Sequence, residues 1–465
     1  MKNKKIIKTC AAALSALLCA TAAVGCGNSG NKPNNGGGVY RGENYRKELE
    51  TPSVGRENLY GMMYICYEGN EVNGVNYQTG LQLMANMGVK IIRFDVPALE
   101  MFPSLDESKK NSQVIEKARA MVKKANELGI EVIGCYYSNY CSALGGWQNG
   151  NKVIRRDHGE NSAYQKWLED SGEIDRLVCS ALPEITIWEM GNEPNGTKPY
   201  TDGTTATLEE LAVIYAEKMY YSSQGIHAAN KNNITVMGAF TEPEGLGNSP
   251  RVNYEPRELW GRLKDKGRAI SWLEYIYDAI DGGELPSLYY DDYFQAAAWH
   301  PYTFTYFNAD KFVTENGKFY EVIKRREGKD KRVYLTEYGF SDGMVIETKD
   351  GENRQQAIAR MIKEVYTVIL TRMPYVESCC YFRAFSDTRD RFWAKMGDGS
   401  VDWSMAMYGL IYDPNPCEEY PDYLPGEGNA VYSEQIAVPG TPKPGAYAYQ
   451  EIAGGSGSLE LFVKK

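Results

Sequence analysis

A short β-prone run followed by a longer amphipathic run recurs eight times along this chain, and no other feature limits its fold so tightly. Strands that alternate with helices bury themselves as a parallel sheet covered by those helices. The expected strands are Leu59–Tyr64, Val89–Val96, Glu131–Tyr137, a run opening at Ile185, Ile234–Ala239, Phe294–Trp299, a run opening at Arg332, and Ser378–Phe385. Helices are expected over Tyr77–Met87, Val114–Leu128, Ala163–Leu182, Leu208–Ala229, Arg257–Ile280, Lys318–Arg326 and Gln355–Arg372, with a last one at Tyr447–Ile452. The pattern predicts an α/β fold, a (β/α)8 TIM barrel whose functional face is built by the loops that follow the strands. Two of those loops, after strands 3 and 8, are long enough to be functional rather than merely connecting.

The fourth and seventh strands end alike. Ile185-Thr186-Ile187-Trp188-Glu189-Met190-Gly191-Asn192-Glu193-Pro194-Asn195 is a buried-strand pattern that breaks into a loop at Gly191. Arg332-Val333-Tyr334-Leu335-Thr336-Glu337-Tyr338-Gly339-Phe340 has the same build, a β-prone run closing on a glutamate. Carboxylates so far apart in sequence meet only if both strands run the same way in one sheet, which a parallel barrel provides. Two facing carboxylates suit glycoside hydrolysis: one protonates the leaving oxygen while the other attacks the anomeric carbon or activates water. Glu193 must then be neutral and Glu337 ionised in the resting state. Glu189 lies deeper along its strand and reads as a hydrogen-bonded structural acid.

Trp188-Glu189-x-x-Asn192-Glu193-Pro194, followed by Thr336-Glu337-Tyr338-Gly339, resembles the clan of retaining glycoside hydrolases on (β/α)8 barrels that contains many cellulases, mannanases and xylosidases. The resemblance implies that Glu193 is the acid/base and Glu337 the nucleophile. It further implies that Asn192 binds a sugar hydroxyl, that Arg93 stands beside the nucleophile, and that His300 and Tyr302 belong to the site, the tyrosine bonding the nucleophile. Tyr408-Gly409-Leu410 and Lys443-Pro444-Gly445-Ala446-Tyr447 resemble segments that close such domains. Strand eight departs from the clan: where many members carry a tryptophan, this chain reads Cys380-Tyr381-Phe382-Arg383-Ala384-Phe385. Phe382, Phe385 or Trp403 could supply the sugar-stacking surface instead, and Trp147 and Trp393 are further candidate platforms, since a flat aromatic face covers the C–H face of a pyranose.

The N-terminus reads as an address. Lysines 2, 4, 5 and 8 precede an apolar run that ends in Ala23-Val24-Gly25-Cys26, so residues 1–25 form a signal peptide. Ala23 to Cys26 resembles a bacterial lipobox, which implies lipidation of Cys26, a surface location, and a flexible linker over 26–54; ordinary cleavage and secretion is the alternative, since alanine is less usual than leucine at the first box position. The catalytic domain is then 55–453, and 454–465 a C-terminal tail. A membrane partner is expected only through that anchor. The formal charge of −10 argues against nucleic acid. With three histidines and no Cys-x-x-Cys pair, no metal and no cofactor are expected. Of the ten cysteines, seven remain after Cys10, Cys19 and Cys26; any disulfide would most naturally include Cys135 or Cys141, while buried thiols at Cys135, Cys379 and Cys380 pack as small apolar residues. A β-linked glycan is the expected partner. The rival reading is a non-catalytic glycan-capturing surface lipoprotein. A serine esterase finds no Gly-x-Ser-x-Gly here.

Overall fold

A computed structural model describes residues 56–66, 75–148, 156–195, 208–241, 268–303, 306–344, 346–388, 407–416 and 438–463. Eight parallel strands close into a barrel: β1 (Tyr60–Tyr64), β2 (Ile91–Asp95), β3 (Glu131–Cys135), β4 (Ile187–Asn192), β5 (Ile234–Thr241), β6 (Ala297–His300), β7 (Val333–Tyr338) and β8 (Val376–Tyr381). Each pairs with its sequence neighbours, and β8 closes on β1 through Tyr60 opposite Cys379. Apart from a single turn at Ala98–Met101, the α-helices among the described residues are α1 (Tyr77–Met87), α2 (Ser112–Glu127), α3 (Ala163–Ala181), α4 (Leu208–Ala229), α5 (Arg268–Asp281), α6 (Ala309–Glu327), α7 (Arg354–Arg372) and α8 (Pro444–Ala453). No helix among the described residues is long and apolar enough to cross a membrane.

Period-two alternation divides each strand between two cores. In β2, Ile92 and Phe94 face the helices. Ile91 joins Ile133, Ile187, Val236, Ala296, Ala298 and Tyr334 in the plug that fills the barrel. Helix ends are set by side chains: Asn76 caps α1 through the amides of Gln78 and Thr79, and Asn353 with Gln356 forms a reciprocal capping box on α7. Helices α3 and α4 touch backbone to backbone at Gly172 and Gly225. A Cβ at Gly225 would stand 2.0 Å from the Gly172 carbonyl oxygen, so only glycine permits this approach.

Several expectations are corrected. The helix read over Lys318–Arg326 begins at Ala309, capped by Asn308; Gly317 inside it made its first half look broken. Strand β6 starts at Ala297, because the amides of Gln295 and Ala296 both turn to the Thr235 carbonyl and break the register. Strand β8 stops at Tyr381, and Phe385 instead packs on Phe462 at 5.1 Å between ring centroids. The stretch read as a tail is therefore part of the fold through residue 463: Leu459 is buried, and the Ser458 carbonyl accepts a hydrogen bond from Asn86. Cys66, Cys135, Cys141, Cys179, Cys379 and Cys380 are free thiols, so neither Cys135 nor Cys141 is in a disulfide. The signal segment, Cys26, the 26–54 linker, Trp393 and Trp403 lie outside the described residues, as do parts of the loops after β3 and β8.

Candidate active site

The C-terminal ends of the strands converge on one polar cluster. Arg93 of β2 points up the barrel axis, fully buried. Its guanidinium holds Glu189 of β4 through Nε (2.5 Å) and Nη2 (3.2 Å), Glu337 of β7 through Nη1 (2.7 Å), and Asn192 through Nη2 (2.7 Å). Nη2 also lies 3.1 Å from Cys135 Sγ. Only a rigid planar fork with five donors serves so many acceptors at once. Burial works against the Arg93 charge, but Cys135, Glu189 and Glu337 around it more than offset this and hold its pKa well above the ordinary value.

Glu337 is gripped from two sides. Arg93 donates to Oε1, and the Tyr302 hydroxyl donates to Oε2 at 3.0 Å. The phenol proton is kept on Tyr302: burial raises its pKa most, and the Glu337 charge adds to it. Tyr302 in turn packs against Phe382 and Tyr408.

Glu193 has a different environment. Its φ is +47°, a left-handed conformation that a residue before proline adopts only under constraint. Its amide bonds the Ala239 carbonyl of β5 at 2.8 Å, which holds that turn and aims the carboxyl into the cleft. One oxygen lies 2.9 Å from His300 Nδ1. His300 Nε2 is 3.2 Å from Thr336 Oγ1, and the Thr336 hydroxyl proton is committed to Glu189. Nε2 therefore carries a proton and donates, leaving Nδ1 to share a second proton with Glu193. Burial lowers the His300 pKa, but the Glu337 charge and the Glu193 hydrogen bond outweigh it, and the net shift is upward.

Ligand atoms of Glu193, His300 and Glu337 lie within 4.8 Å of one another, the only such convergence of metal-type donors among the described residues. The Arg93 guanidinium already occupies one Glu337 oxygen, and its charge opposes a second cation there. The cluster is better built for proton transfer than for metal.

Arg93, Asn192, Glu193, His300, Tyr302 and Glu337, separated widely in sequence, thus meet in one network, and Phe382 borders it through Tyr302. Trp147 does not join it: its indole N–H is bonded to the Phe102 carbonyl at 2.7 Å and its ring packs edge-on against Tyr140, within the two-stranded ribbon Tyr140–Cys141/Gly146–Trp147. Sequence reasoning missed Thr336 as the relay between His300 and Glu189, Cys135 as an acceptor, and Tyr408 as a neighbour of Tyr302. The Tyr-Gly-Leu segment was the available signal for the last. Its partner motif is anchored too: Lys443 Nζ is buried on Asp342 (2.6 Å) and Ser386 (2.9 Å), tying together the loops after β7 and β8.

The family model of cellulase, glycosyl hydrolase family 5, matches residues 51–370. The chain belongs to that family. That family is one of glycosyl hydrolases. No curated protein sequence matches it. Among solved structures it is similar in fold to a family 39 glycoside hydrolase from the gut symbiont Bacteroides cellulosilyticus WH2, at 15% identity and TM-score 0.54, covering 87% of this chain and 65% of that one. It is similar also to the β-glycosidase of Thermosphaera aggregans, at 13% identity and TM-score 0.53, covering 87% and 97%. A β-glucosidase from Thermotoga maritima matches at 13% identity and TM-score 0.51, covering 88% and 100%. At these identities the likeness concerns the barrel, while substrate choice rests with the loops.

Proposed function

We propose that this family 5 protein cleaves β-linked polysaccharide or oligosaccharide with retention, Glu193 serving as acid/base and Glu337 as nucleophile. The observation that carries the reading is the pair of carboxyls with oxygens within 4.8 Å and unlike partners. Double displacement needs carboxyls about 5–5.5 Å apart, whereas inversion needs about 6.5–9.5 Å to admit a water. Glu337, bonded by a cation and a phenol, is suited to attack as an anion. Glu193, sharing a proton with His300, is suited to give one to the leaving oxygen and later to take one from water. Asn192, fixed by Arg93, is placed to bind a sugar hydroxyl next to the bond being cut, and Phe382 to line the same subsite.

Product analysis on β-glucan, mannan, xylan and galactan tests this directly. NMR of the first-formed product is expected to give the β-anomer; an initial α-anomer would overturn the double-displacement mechanism. In Glu193→Gln, turnover of glycans is expected to fall by about 10²–10⁴-fold, while aryl glycosides with acidic phenols still release phenol, because such leaving groups need no proton. Equal losses on both substrate types would remove Glu193 from the acid role. Binding of glycan with no turnover by the wild type would favour the capture protein.

We further propose that the protein is exported and held at a bacterial cell surface by lipid on Cys26, a reading supported by the lysine-led apolar run and Ala23-Val24-Gly25-Cys26. Incorporation of labelled palmitate that disappears in Cys26→Ser is the expected result; unlabelled wild-type protein in the medium would refute the anchor.

A further inference from the structure

One carboxylate in this cleft has no part in the chemistry above. Asp95 closes β2, directly opposite Cys135 at the end of β3. In β2, Ile91 fills the barrel and Arg93 reaches Glu189 and Glu337, so Asp95, two positions further on, belongs to the same inward face at the mouth. Unlike the four residues before it, it is exposed to solvent. No described residue donates a hydrogen bond or forms an ion pair with its side chain. Solvent reaches it, yet the surrounding protein pushes its pKa up to about 6: burial is the main cause, Arg93 pulls it down, and Glu337 and Glu189 push it up. A group that is wetted and yet surrounded by protein lies on the wall of a concave site.

We propose that Asp95 is a specificity-determining residue, its carboxylate accepting hydrogen bonds from hydroxyls of the sugar seated against Glu337. This rests on the hydrolase reading above and names what that site selects. An ionised carboxylate has two oxygens and no donor, so it suits a pair of neighbouring hydroxyls. The groups facing it are Arg93 on its own strand, Cys135 on β3, Glu189 on β4, His300 on β6 and Glu337 on β7. Arg93 is already engaged by Glu189, Glu337 and Asn192, so among the described residues the free charge on this wall is negative. The site therefore accepts neutral sugars and repels uronates and sulfated sugars.

The test uses the aryl β-glycoside that the protein turns over fastest, together with its monodeoxy analogues. Wild type is expected to lose about 10²-fold in kcat/KM on at least one deoxy analogue, because the bound sugar then covers the carboxylate without pairing it. Asp95→Asn and Asp95→Ala should lose a similar factor on the parent glycoside and little more on that same analogue. The acid limb of the wild-type kcat/KM profile should fall near pH 6, where Asp95 takes up a proton and loses its acceptor character, and should move to lower pH in Asp95→Asn. Variants that lose one constant factor on the parent and every analogue, or that match the wild type, overturn the proposal. Wild-type protein inert on every glycoside overturns the hydrolase reading and this inference with it.

Discussion

Glu337→Ala is expected to lower kcat by about 10⁴–10⁶-fold, the scale on which removal of a covalent nucleophile acts, while leaving the protein folded. The fold should survive because Arg93, the main partner of Glu337, keeps Glu189 and Asn192, and because the Glu337 side chain already borders the open cleft. The missing carboxylate leaves a space under the anomeric carbon that a small anion can enter. Azide is therefore expected to restore turnover of an activated aryl β-glycoside and to give the glycosyl azide of inverted, α configuration, since attack now comes once and from the nucleophile side. Rescue that gives the β-azide would mean the anion enters from the other face and would exchange the roles of Glu193 and Glu337. Activity within tenfold of wild type would remove Glu337 from the mechanism altogether.

Arg93→Met should be the most damaging change to stability in the site. Methionine fills much of the volume but strands Glu189, whose side chain has no exposed surface and, among the described residues, keeps the Ala239 amide and the Thr336 hydroxyl as donors. Breaking a buried pair by removing one partner costs about 3–5 kcal/mol, and a denaturant midpoint with an unchanged m-value measures it. Glu189→Leu added to Arg93→Met removes the stranded charge. The double variant is expected to recover much of the lost stability, as replaced buried pairs commonly do, yet to remain about 10²-fold or more below wild type in kcat, since Glu337 still lacks its cation. A loss under about 1 kcal/mol in the single variant would mean that Arg93 is not what holds the barrel mouth together. Recovery of both stability and activity in the double variant would make its role purely structural.

Fold and site were legible to different depths. The order of the eight βα units could be read because strand and helix periodicity are local, and so could the strand ends at Glu193 and Glu337, since each sits where an apolar run breaks into a loop. His300 and Tyr302 were named only through the resemblance of His300-Pro301-Tyr302 to the clan. Element bounds were less so. Where Gly317 interrupts α6, or where two amides share the Thr235 carbonyl before β6, the deciding contact comes from another part of the chain. For Trp147 the structure adds what the sequence could not show, an indole N–H bonded to the Phe102 carbonyl and a ring edge-on to Tyr140, because the Phe102 contact comes from a distant part of the chain.

The sequence by itself determined the barrel, the chemistry of two opposed carboxylates and the strands that present them, because these follow from residue type and local period. Only the tertiary structure decided which partners each group has. It set Arg93 between Glu189 and Glu337, ran a hydrogen-bonded relay from Glu193 through His300 and Thr336 to Glu189, packed Tyr408 against Tyr302, and left Asp95 exposed, with no hydrogen-bond or ion-pair partner among the described residues. Those contacts depend on a few ångströms between side chains from different strands, and closure of the sheet fixes those distances.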